Sequence, residues 1–178
     1  MAIVPAYQGR VMTSTVGGDE TSSHGWINYE LTASGKLGPH INAFGGEDRF
    51  WLGPEGGQFS IFFKKGDPFD LEHWQTPAVI DTVPYKVTSK TDSEVTFRHE
   101  AKIKNYSDTA FSLRIDRTVR LFDRSRIGEM LGTVPAERLR VADGVIRFPG
   151  TASTVARSAS RRSAPSRYSA ATTPPANC

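Results

Sequence analysis

Between His40 and Phe63 the chain reads HINAFGGEDRFWLGPEGGQFSIFF, and this run holds the densest set of residues able to do chemistry. Two glycine pairs, Gly45-Gly46 and Gly56-Gly57, flank Glu47, Asp48, Arg49, Phe50 and Trp51. If this stretch is a strand, alternation puts Glu47, Arg49 and Trp51 on one face and Asp48 and Phe50 on the other. A carboxylate, a guanidinium and an indole on one surface suit a sugar: the indole faces C–H groups and the charged groups bond hydroxyls. His40, Asn42 and Glu55 lie close enough in sequence to join them. The glycine pairs permit close backbone approach or positive φ. The plainer reading is an exposed Glu47–Arg49 ion pair, worth little, with Trp51 and Phe50 as core.

Other chemistries find less support. The glycines form neither a GxxxxGK[ST] phosphate loop nor a GxGxxG turn, and no HExxH occurs. His73 beside Glu72 and Asp70 has poor spacing for a metal. The only cysteine is Cys178, so the chain holds neither a disulfide framework nor a cysteine metal site. No metal and no cofactor is expected. The start, MAIVPAYQGR, lacks the pattern of a signal peptide. No stretch reaches the apolar length of a membrane helix, so no membrane partner is expected.

The elements that must position these residues are clearest downstream. From Glu94 to Lys104 and from Phe111 to Leu121, apolar and polar residues alternate, the pattern of half-buried strands. Tyr85–Ser89 reads as a shorter strand, so the three form an antiparallel meander with one wet face. His99 and Arg117 interrupt the apolar face. The first is read as a satisfied histidine at the sheet margin, the second as reaching a carboxylate or snorkelling outward. Further forward, Arg10–Thr15 reads as a strand ended by Gly17-Gly18. Residues 26–33 suit a strand or a short helix. Glu47–Leu52 and Phe59–Phe63 read as strands joined across the Gly53–Gly57 turn, and Asp67–Trp74 holds one helical turn before Pro77. Gly and Pro number 16 and 11, favouring turns and short strands. The fold expected is all-β, an antiparallel β-sandwich.

The formal charge of +3 is unevenly placed. Residues 151–178 carry four Arg and no acidic residue or Lys, leaving 3 − 4 = −1 for residues 1–150. The basic balance therefore belongs to the tail, and without an aromatic platform beside it no nucleic-acid partner is expected. The tail is almost wholly Ala, Ser, Thr, Arg and Pro, which cannot bury enough apolar surface to order itself. The division expected is a partial sandwich over 1–132 and a disordered basic tail over 133–178. That tail is either a genuine linker or an out-of-frame product of GC-rich coding sequence.

The run INAFGGEDRFWLGPEGGQFSIFF, with PAYQGRVMTST before it and RIDRTVRL after it, resembles an uncharacterised bacterial family among the galactose mutarotase-like (aldose 1-epimerase-like) β-supersandwich proteins. The similarity spans about residues 4–125. The resemblance implies that Arg49 and Trp51 line a sugar cleft with Asn42, Glu47 and Glu55 nearby, and that a monosaccharide or glycan is the partner. It also implies epimerase-like ancestry, in which a histidine acid and a late-strand glutamate base open and reclose a hemiacetal. His40 and Glu47 are the catalytic candidates here. The late strand lies beyond the similar region, so the chain is expected to be a catalytically incomplete fragment. The alternative is a non-catalytic β-sandwich interaction module. Neither oligomeric state nor compartment follows from the residues.

Overall fold

A computed structural model describes residues 1–15 and 25–133, together with the backbone of two later strands, 142–147 and 156–159. Its centre is the pair β4 (Glu94–Lys104) and β5 (Ala110–Leu121), antiparallel and in register from Glu94↔Arg120 to Lys104↔Ala110. Alternation fixes that register, since a slip of one residue would turn every apolar side chain into water. β3 (Lys86–Lys90) pairs with β4 on one side. On the other, β6 (Ala142–Arg147) pairs with β5, and β7 (Ala156–Ala159) with β6. The result is a five-stranded antiparallel sheet in the order β3-β4-β5-β6-β7. A separate two-stranded ribbon joins β1 (Ala2–Val4) to β2 (Arg10–Thr13).

One face of the sheet is wet. Arg98 and Arg114 both bond the Asp116 carboxylate, at 2.6 and 3.1 Å, and Thr96 meets Thr118 at 3.0 Å. The other face supplies Phe97 and Ile115 to the core, against Phe50, Phe62, Phe63, Val79, Ile80 and Tyr85. Thus the meander was expected correctly, and the molecule is a β-rich fold of antiparallel sheets with a few short helices.

The helices are brief and locally encoded. In α1 (Tyr29–Ser34) the Asn28 side chain accepts from Leu31 N at 2.9 Å, and Gly35 ends the turn in the left-handed region. The ambiguous stretch 26–33 is thus helical from Tyr29 on, while Ile27 forms an isolated antiparallel bridge with Gly45. Pro77 precedes α2 (Ala78–Asp81), and Asp123 caps α3 (Arg124–Leu131), which Gly132 terminates. Around 67–74 a single turn forms, with Trp74 N bonding Asp70 O at 3.1 Å.

Two expected strands are absent. Neither 47–52 nor 59–63 is a strand, and for 47–52 the cause is visible in the bonding. Glu47 N donates to Val11 O at 2.8 Å, after which side chains take over: Asp48 Oδ1 accepts from Val11 N at 2.9 Å and Glu47 Oε1 from Ser14 N at 2.6 Å. The donors that a neighbouring strand would satisfy are taken by carboxylates, so no ladder propagates. Strands β6 and β7 fall within the stretch expected to lack order; the rest of that tail, and the Gly17-Gly18 stop, lie outside the described residues.

Candidate functional site

The glycine pair before Glu47 sets the site's geometry. Gly45 and Gly46 have φ of 83° and 107°, and a Cβ on Gly45 would stand 2.1 Å from Trp26 O. No residue with a side chain fits there. Gly46 N donates to Trp26 O at 2.7 Å, and the chain then turns along β2. Glu47 consequently faces β2, with its two oxygens on Ser14 N and Ser14 Oγ, each at 2.6 Å. This overturns the expectation that Glu47 shares a face with Arg49 and Trp51, because that expectation required a strand at 47–52.

Arg49 and Trp51 do meet. The Arg49 guanidinium lies 4.4 Å from the centroid of the Trp51 ring, a cation–π contact. Its Nη2 bonds Asp81 Oδ1 at 2.8 Å, with 23% of the Arg49 side chain exposed against 4% of Asp81. Burial lowers the Arg49 pKa, and the Asp81 carboxylate opposes that shift. Trp51 Nε1 donates to Glu55 Oε1 at 2.8 Å, at the surface. The other expected member, Asn42, is buried. Its backbone N reaches both Asp81 oxygens, at 3.1 and 3.2 Å, and its Nδ2 bonds Oδ2 at 2.8 Å. Asn42 therefore serves Asp81 and presents nothing to solvent.

Asp81 is the residue the sequence reading missed. It is 3% exposed and gathers Asn42 and Arg49 from the last turn of α2. A carboxylate ending the apolar run Ala78-Val-Ile-Asp81 was the available signal, since a buried acid needs partners.

Behind Arg49 lies a second ionic layer. Arg117, 2% exposed, donates from Nε to Gly9 O at 3.0 Å and from Nη2 to Asp48 Oδ2. It reaches a carboxylate, one of the two outcomes expected. Arg10, 3% exposed, donates from Nη1 to Gly45 O at 2.8 Å, while its Nε and Nη2 have no partner among the described residues. Burial, reinforced by Arg49, lowers its pKa to about 10. Three guanidinium groups thus face two carboxylates, Asp48 and Asp81.

His40 sits on a different neighbourhood. Its Nδ1 lies 2.7 Å from Trp74 O. A carbonyl only accepts, so Nδ1 is the donor in that contact, and the Gln75 side-chain nitrogen lies 3.3 Å from the same atom. Phe62 joins the two neighbourhoods, its ring 5.2 Å from Trp51 and 4.6 Å from Trp74. His73 donates to Asp70 at 2.6 Å on the surface, a local pair. No cluster of three or more metal-ligating side chains occurs among the described residues. His99, expected at the sheet margin, instead lies midway along β4 opposite Ile115, and it stacks on Tyr85 at 5.1 Å and 3°.

Residues 1–153 match a protein family described as a family of unknown function (DUF6786). The matched span runs past the boundary drawn at residue 132. No curated protein and no solved structure matches the chain.

Proposed function

The chain belongs to that family of unknown function, and we propose that it is a carbohydrate-binding β-sandwich domain of galactose mutarotase-like ancestry, taking a monosaccharide or terminal glycan unit around Arg49, Trp51 and Glu55. The observation that carries this reading is the linked trio itself: Arg49 over the indole, and the indole N–H on the Glu55 carboxylate. Asp81 fixes the guanidinium from behind, so its exposed edge is held in place for a hydroxyl. Glu55 keeps its second oxygen as an acceptor. Positioned polar groups beside an aromatic surface are what a sugar site needs.

Turnover is not part of the proposal. Opening a hemiacetal takes an acid and a base on the same ring. His40 bonds Trp74 O rather than any member of the trio, and Glu47 is engaged by Ser14. Tryptophan fluorescence titrated with galactose, glucose, mannose and their methyl glycosides tests binding. A saturable change with Kd in the millimolar range, about −4 kcal/mol, lost in Arg49→Ala, supports the reading. Polarimetry of fresh α-galactose is expected to run at the buffer rate.

A second reading has its own observation. Arg49 covers the Trp51 ring face and Phe62 packs against the same ring, so the aromatic surface is already occupied. In that case segment 40–63 is core and turn structure of a non-catalytic interaction module. No fluorescence response to any sugar, with Arg49→Ala only lowering stability, would decide for it.

A further inference from the structure

A pocket of about 200 Å³ opens between residues 61–65 and the turn joining β4 to β5, and only Phe62 of its lining also packs on Trp51. Its walls are tied together by the backbone: Tyr106 N donates to Ser60 O at 2.6 Å and Ser107 N to Gln58 O at 3.1 Å. Ile61 and Phe63 give it an apolar side. Lys64, Lys65 and Lys104 give it charge, against the single carboxylate of Asp108. That carboxylate is already taken by Lys104 at 2.8 Å, which holds its pKa below the ordinary range, with a smaller contribution from Lys65. Three ammonium groups and one carboxylate leave a charge of +2; Lys104 holds the Asp108 carboxylate, while Lys64 and Lys65 form no ion pair within 4 Å among the described residues, Lys65 acting on Asp108 only at longer range.

Asn105 adds a directed donor. It is 5% exposed, and its Oδ1 accepts from Thr109 N at 2.9 Å, fixing the amide and leaving Nδ2 as its unused donor. Two free ammonium groups and an oriented amide suit an oxyanion. The apolar wall beside them suits a carbon skeleton.

We propose that this pocket binds a small organic anion, with a phosphate or carboxylate head on Lys64, Lys65 and Asn105 and an apolar body against Ile61 and Phe63. The site is independent of the carbohydrate reading and survives its failure.

The test is an isothermal titration of the full chain at low ionic strength, where charge contacts are least screened. The probes are inorganic phosphate, phenyl phosphate and benzoate. Two double variants accompany it. Lys64→Gln with Lys65→Gln removes the proposed site. Lys86→Gln with Lys90→Gln removes equal charge from exposed β3. The expected result is saturable phenyl phosphate binding, weakened about tenfold or more in the first variant and little in the second, as a site contact rather than net charge dictates. Phenyl phosphate binding more tightly than phosphate assigns the apolar wall to the ligand; equal affinity narrows the site to the oxyanion alone and overturns the organic-anion proposal. Equal weakening in both variants, or no saturable binding to any probe, overturns the site altogether. All four lysines are exposed, so both variants are expected to fold, and circular dichroism checks that they do.

Discussion

The sheet β3–β4–β5 and the segment 40–81 are built on opposite principles. In the sheet, backbone groups pair with backbone groups over eleven consecutive positions of β4 and β5. Side chains decorate that ladder, and each contributes modestly. In 40–81 the backbone has few regular partners. Carboxylates, an amide and guanidinium groups hold it instead: Glu47 and Asp48 on β2, Asn42 and Arg49 on Asp81. Order there depends on single atoms. A sheet tolerates substitution because its bonds are generic, whereas a segment held by side chains does not.

The sharpest way to break that contrast is Gly45→Ala. The new Cβ meets Trp26 O at 2.1 Å and the residue must keep a φ of 83°. A loss of about 3 kcal/mol or more is expected in urea denaturation. A loss below about 1 kcal/mol would mean the segment moves as freely as a surface loop. Next comes Asp81→Ala, which leaves Arg49 and Asn42 without their shared acceptor; about 3 kcal/mol is expected on the same assay. If Arg49→Ala costs as much, the pair acts as one unit, which the double variant would show by non-additivity.

On the sheet, Thr96→Ala removes a cross-strand contact with Thr118 on the wet face. Only about 0.5 kcal/mol is expected, because the ladder is untouched. A loss equal to that of Asp81→Ala would erase the distinction between the two regions. The smallest effect concerns His99. Burial against Tyr85 lowers its pKa, so folding favours the neutral ring. Its contribution is whole above the unfolded-state value near 6.5 and declines as pH falls through that value toward the folded one. Stability followed from pH 8 to pH 5 should therefore fall less steeply in His99→Gln. An unchanged slope would place the proton uptake elsewhere.

The sheet was legible because alternation is a local property: Val95, Phe97, Ala101 and Ile103 declare a face without reference to anything distant. Helix α1 was ambiguous by periodicity, yet Asn28 and Gly35 marked its ends. The contacts of segment 40–63 were legible in part. Of the residues expected together, Arg49 touches Trp51 and Trp51 touches Glu55. Glu47 was misplaced because a strand was assumed where Gly45, Gly46 and the two carboxylates of 47–48 redirect the chain. Asp81 went unnoticed because its partners lie 32 and 39 residues away.

The residues by themselves therefore determined the antiparallel meander, its wet and dry faces and the concentration of unusual chemistry in 40–63. Backbone geometry and hydrophobic period suffice for that, since both act over a few neighbouring residues. Only the tertiary structure decided which charges pair: Arg49 with Asp81 rather than Glu47, Arg117 with Asp48, and Arg10 with a carbonyl and, among the described residues, no carboxylate. Burial makes each partnership obligatory, and burial is a property of the packed chain rather than of its order of residues.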